Sequence, residues 1–176
     1  MELLKAIMLF LGMMGHTPVA HVDYNYQDSP DPIELATLEL NRKRSEQLSC
    51  LRVATYREAR DQPIEGQKAV IQVIFRRALE KNKSVCQVVN EKVGGYCQFS
   101  YACDAKQRTI NVKRLSRYDL KAYKIVDRLS TQEYKKWESG VKPSHASHFK
   151  RCDAENSGFS NLKFLFQINN HCFYKA

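Results

Sequence analysis

Thr55-Tyr56-Arg57-Glu58-Ala59-Arg60 places one carboxylate near the end of a segment with helical spacing, directly before a turn and an apolar run. A lone carboxyl group beside buried surface can be held protonated at neutral pH, because desolvation disfavours its charged form. A general acid needs that state to protonate the oxygen of a glycosidic bond. A second block, Gln98-Phe99-Ser100-Tyr101-Ala102-Cys103-Asp104, carries groups suited to a sugar cleft. Gln98 and Ser100 can hydrogen-bond ring hydroxyls, and Tyr101 offers an aromatic face for a pyranose. Phe99 suits a core equally well.

Glu58 lies ten residues after Leu48 and seven after Leu51, so all three share roughly one side of a helix and the acid falls near the edge of the apolar stripe. The competing reading is a surface glutamate paired with Arg57 or Arg60. Glu65 is the obvious second carboxylate. Inverting glycosidases hold their two carboxyls about 6.5–9.5 Å apart and retaining ones about 5–5.5 Å apart. A place in the first turn of the next helix already accounts for Glu65, and Asp104 reads as a turn or capping acid. His145 and His148 stand three apart without an H-E-x-x-H motif, so no metal or other cofactor is expected.

The elements that must position these groups are mostly helices. A helical pattern runs from Ile33 to about Ala59, with Leu35, Leu38, Leu48 and Leu51 among its apolar positions. Asp61-Gln62-Pro63 stops it. With Gln62 as cap, Pro63 takes the first helical position and Glu65 the third. Residues 64–80 are apolar on nearly every side and read as the central core helix. Ser84-x-x-Gln87 opens a short helix through Val85, Val88 and Val89, with Gly94-Gly95 as its end. Ser116-x-x-Asp119 and Ser130-x-x-Glu133 read as the starts of two further helices. Beyond Gly140 the pattern is loop-like, and residues 164–174 suggest a short strand or hairpin. The expected fold class is α+β and mainly α-helical.

The chain has 176 residues, a formal net charge of +9 and an isoelectric point near 9.3. That is enough for one core, and the charge favours a polyanionic partner. The basic residues are dispersed without a nucleic-acid motif, so no nucleic acid is expected. Residues 1–20, with an apolar run at 6–15 and Pro18-Val19-Ala20, read as an export signal or N-terminal anchor. The run is too short for a stable membrane span, and a buried N-terminal helix is the alternative. Residues 21–45 read as linker and leading helix, and 46–176 as the catalytic domain. All six cysteines lie beyond residue 20. In an exported chain they are expected as disulfides, with 15 full pairings open. Cys97 and Cys103 could close a small loop.

Six ordered blocks resemble SleB-type cell-wall hydrolases over roughly residues 50–174. They are Cys50-Leu51 through Ala59-Arg60; Pro63 and Glu65-Gly66-Gln67-Lys68-Ala69-Val70 with Gln72-Val73; Val85-Cys86-x-Val88-Val89; Cys97-Gln98-Phe99-Ser100-x-x-Cys103-Asp104; Ala146-Ser147-His148-Phe149; and Asn170-His171-x-Phe173-Tyr174. The resemblance implies a lysozyme-like, mainly α-helical single domain that cleaves peptidoglycan glycan strands. It is similar to lytic transglycosylases in this respect, and Glu58 matches the catalytic glutamate. After donating its proton, that group could take one from a sugar 6-hydroxyl to give a 1,6-anhydro product, or activate water. Expected substrate contacts are Gln98, Ser100, Tyr101, His148, His171 and Tyr174. The chain departs from the family at Asp61-Gln62 (commonly Gly-Glu), at Arg76 (commonly Asn) and at Lys150 (often His), and it lacks a tryptophan soon after that position.

Two function classes follow. One is a monomeric peptidoglycan-cleaving enzyme, exported or phage-encoded, whose charge helps it adhere to anionic envelope polymers. The other is a non-catalytic, disulfide-stapled basic module that binds cell-wall polymer or nucleic acid.

Overall fold

The computed structural model describes residues 31–155 and 158–176. Residues 37–176 make one compact unit, and residues 31–36, outside it, hold the start of the first helix. The export-signal reading of residues 1–20, and the linker up to residue 30, lie outside the described residues. The architecture is α+β and mainly α-helical. Among the described residues, no helix is long and apolar enough to cross a membrane.

Helix α1 spans Pro32–Ala59. Leu35 and Leu38, expected on its apolar face, are exposed, as is Leu40. Pairs of Glu39 and Glu46 with Arg42 and Lys43 line the same stretch in solvent, where such pairs add little. Packing begins near Leu48, and Leu51, Ala54, Tyr56 and Ala59 enter the core. The last turn of α1 is therefore held by burial, and Glu58 sits in it.

Helix α2, Ile64–Lys81, is the central core helix, as its pattern predicts: Val70, Ile71, Val73 and Ile74 are wholly buried. Its cap position falls on Pro63 rather than Gln62, which shifts Glu65 one place toward the start. Gln62 is buried, and its carbonyl accepts a hydrogen bond from Gln67 Nε2 at 3.0 Å. Gly66 lets the sheet approach this helix closely. A Cβ there would stand 3.1 Å from Gln62 Cβ and 3.4 Å from Ile168 Cγ2. Gly66→Ala is therefore expected to lower stability by about 1 kcal/mol in denaturant unfolding, because overpacking outweighs the gain in helix propensity. An unchanged or raised midpoint would show that the contact has slack.

Helix α3, Val85–Val89, carries the expected capping box of Ser84 and Gln87. It ends at Asn90, not at Gly94-Gly95. Those glycines, both at positive φ, instead turn a two-strand hairpin of β1 (Lys92–Val93) and β2 (Tyr96–Cys97). The Gln98–Asp104 block follows as a 3-10 turn over Ser100–Cys103.

Helix α4, Arg117–Glu138, replaces the two helices expected after Ser116. Ser116 is its cap, but Ser130 and Glu133 lie buried inside it, where Glu133 accepts a hydrogen bond from Gln72 Nε2 at 3.0 Å. No Gly or Pro interrupts residues 117–138, so the second Ser-x-x-Glu never becomes an end. Near its end Trp137 stacks on Phe75, with ring centroids 4.8 Å apart.

The loop-like reading beyond Gly140 misses strand β3, His148–Arg151. It joins β4 (Lys163–Ile168) and β5 (His171–Lys175) in an antiparallel sheet of order β3-β5-β4. The β4–β5 hairpin is the one expected over residues 164–174, and Asn169 takes the positive φ its turn requires. Phe149, Phe166 and Phe173 carry the sheet onto the helical core, with Phe99 against Phe149. Disulfides join Cys50 to Cys86, Cys97 to Cys103 and Cys152 to Cys172.

Candidate active site

A cleft of about 360 Å³ opens where the end of α1 meets the sheet. The turn after α1 and its last residues contribute Arg57, Glu58, Arg60 and Asp61. Helix α2 contributes Arg77, and the segment after β2 contributes Gln98. Strand β3 adds Phe149, Lys150 and Arg151, and the start of β5 adds Asn170 and His171.

Glu58 is largely buried, and burial pushes its pKa from 4.5 to about 7. It makes no hydrogen bond or ion pair among the described residues. The neighbouring arginines are engaged elsewhere. Arg57 donates to the carbonyl oxygens of Gln107 and Thr109, at 3.2 and 3.1 Å. Arg60 lies over the Tyr56 ring, 5.2 Å from its centroid, and 3.9 Å from Asp119. The surface-pair reading of Glu58 therefore gives way to an unpaired, desolvated acid. A pKa near neutrality leaves both its protonated and its ionised form accessible, so one group can both give and take a proton.

Around this acid the cleft is strongly basic. Arg77 is buried and donates through Nε to the Ser147 carbonyl at 2.6 Å, with its guanidinium 5.6 Å from the Phe99 ring centroid. Burial pulls its pKa down. No carboxylate lies within ion-pair distance of it among the described residues. Arg151 forms a two-pronged pair with Asp153, at 3.0 and 2.7 Å. Lys150 turns its ammonium to the carbonyls of Ala154 and Glu155. Arg76, one of the positions that depart from the family pattern, donates to the Pro143 and Ser144 carbonyls and holds that loop rather than lining the cleft.

Of the residues expected to contact substrate, Gln98 and His171 meet Glu58 in the cleft. Burial lowers the pKa of His171. Tyr101 is 5% exposed and offers no open ring face. It stands behind the acid: burial, and then the charge of Glu58, raise its pKa. Ser100 is exposed and opens the 3-10 turn, outside the cleft lining. His148 and Tyr174 face each other across the β3–β5 ladder and pack on Phe159, also outside the lining. His148 shares a 2.9 Å hydrogen bond with Ser147 Oγ. Burial, and then Arg77 and Lys81, bring its pKa down to about 4.

The carboxylates separate in the same way. Glu65 is exposed in the first turn of α2, and Asp104 caps the 3-10 turn over Ala105–Gln107 by accepting from Lys106 N at 2.9 Å. The second acid in the cleft is Asp61, expected from the sequence as part of a helix stop and of a departure from the family pattern but not as a site residue. Its signal was available: three residues beyond Glu58, it continues the same side of the chain at the helix end. Among the described residues, no group of three or more His, Cys, Asp or Glu side chains is placed to hold a metal ion.

A family model described as Cell Wall Hydrolase matches residues 61–174. The matched span takes in α2, α3, α4 and the whole three-stranded sheet except its last residue, and it begins just after Glu58. No curated protein and no solved structure matches the chain.

Proposed function

This chain belongs to the cell wall hydrolase family, and we propose that it cuts the MurNAc–GlcNAc backbone of peptidoglycan as a lytic transglycosylase. Glu58 is its catalytic residue, first as acid and then as base. The supporting observation is the unpaired, largely buried Glu58 in a cleft, with a pKa of about 7. In the first step its carboxyl donates a proton to the glycosidic oxygen as the bond from that oxygen to the anomeric carbon breaks. Positive charge then develops on the sugar ring. In the second step the carboxylate takes the proton of the 6-hydroxyl, whose oxygen bonds to the anomeric carbon, and a 1,6-anhydro end results. No water is consumed, and Glu58 finishes protonated as it began. Gln98 and His171 are placed to orient the sugar. The basic cleft and the net charge of +9 favour a carboxylate-bearing strand and an anionic envelope surface. We assign residues 46–176 to catalysis as a monomer, and residues 1–20 to export.

Asp61 supports a second reading. An exposed carboxylate in the cleft could activate water and make the enzyme a hydrolase. Mass spectrometry of the soluble products released from purified peptidoglycan separates the two. Anhydro-ended muropeptides are expected. Reducing ends would make the enzyme a hydrolase, with Asp61 as base if Asp61→Asn abolishes them and Glu58 as base if it does not, and no products from folded protein would favour a binding module. The pH profile is a further check. The step needs protonated Glu58, so kcat/KM is expected to fall about tenfold per pH unit above about 7. A flat profile to pH ~9 would remove Glu58 from the role of acid.

A further inference from the structure

Arg60 and Asp61 line not one cleft but two. The second, of about 300 Å³, runs from the start of α2 to the start of α4, with Ile64, Tyr118, Lys121 and Ile125 in its walls. We propose that this second cleft holds further saccharides of the strand whose scissile bond lies at Glu58, with the Tyr118 ring as their platform. The proposal rests on the glycan-cleaving reading of the first cleft and extends it to a preference for long strands.

Three observations support it. The first is adjacency, because Arg60 and Asp61 line both clefts, so the second begins at the rim of the one that holds Glu58. The second is chemistry. Tyr118 is 75% exposed and Ile64 is 43% exposed, and the Tyr118 ring has no partner among the described residues. A pyranose presents an apolar face of axial C–H groups and a rim of hydroxyls. An aromatic plate edged by Arg60, Asp61 and Lys121 matches both. The third is rigidity. Ser116 caps α4 just before Tyr118, and Asp119 just after it accepts from Tyr56 Oη at 3.1 Å and from Ser116 Oγ at 2.7 Å. Arg60 is stacked on the same Tyr56. The ridge between the clefts is thus tied to α1, and little ordering is left to pay for on binding.

The test is calorimetric binding of defined glycan oligomers, a tetrasaccharide and longer strands, to the Glu58→Gln protein, which leaves them uncut. Affinity is expected to rise with length. Tyr118→Ala on that background is expected to reduce the long-over-short ratio by about 3- to 10-fold, while Tyr118→Phe retains it. Tyr96→Ala, on the exposed β1–β2 hairpin, is the control for a lost surface aromatic and keeps the parent ratio. An equal ratio in Tyr118→Ala and its parent, or no dependence on length, overturns the proposal. Failure of the catalytic reading shows separately, as the absence of cut products from the same oligomers with wild-type protein.

Discussion

Glu58→Gln is expected to cut turnover by about 10²–10⁴-fold and, at neutral and alkaline pH, to make the protein more stable. Both effects come from the same burial. The carboxyl has a pKa of about 7 in the folded chain against 4.5 in its unperturbed state. Below pH 4.5 both folded and unfolded states hold the proton, and burial costs nothing through ionisation. As pH rises from 4.5 to about 7, the unfolded chain ionises while the folded chain resists, so stability is progressively lost. Above that range the full difference applies, roughly 3 kcal/mol at ~1.4 kcal/mol per pKa unit. The amide carries no such cost. Urea unfolding of both proteins at pH ~4 and pH ~8 should give similar midpoints at the lower pH and a clear gain for the variant at the higher. Equal differences at both pH values would mean that Glu58 is not desolvated, and the acid role would lose its physical basis.

Removing the Cys50–Cys86 disulfide as a pair of alanines is expected to cost about 4 kcal/mol, because the bond closes a loop with a sequence separation of 36. That is a large share of the ~5–15 kcal/mol that keeps a domain folded. The bond ties α1, which carries the acid, to α3. A hydrogen bond from Cys86 N to Gln47 Oε1 at 3.0 Å supports the same junction but cannot replace it. The double variant should unfold at a markedly lower denaturant concentration, and its midpoint should respond less to reductant than the wild type's. A loss below about 1 kcal/mol would show that α1 and α3 stay together in the unfolded chain without the bond.

Helices α1, α2 and α3 were legible because long apolar periodicity and a capping box are local signals. Strand β3 was not. It has four residues, two of them basic, and its identity comes from pairing with β5 some twenty residues later. The same limit shaped the site. Glu58, Gln98 and His171 stood out within their blocks, but Arg57, Arg60, Arg77 and Arg151 are scattered along the chain and only the fold gathers them. His171 and Tyr174 are three apart on one strand, so alternation sends them to opposite faces and only the first reaches the cleft. Tyr101 was recognised by chemistry and misjudged by burial. A phenol at 5% exposure can shape the environment of Glu58 but cannot offer its face to a sugar. The family match starts at residue 61, so the weight on Glu58 comes from its surroundings and from the resemblance of its own block.

The other two disulfides lie along the cleft. Cys97 and Cys103 bracket Gln98 and Tyr101, and Cys172 follows His171 while Cys152 follows Arg151. In a compartment that keeps thiols reduced, neither bracket closes, and two walls of the cleft lose their fixed spacing. Assembly of the cleft and oxidation of the chain are thus one event, and the redox state of the surroundings sets when the site is complete.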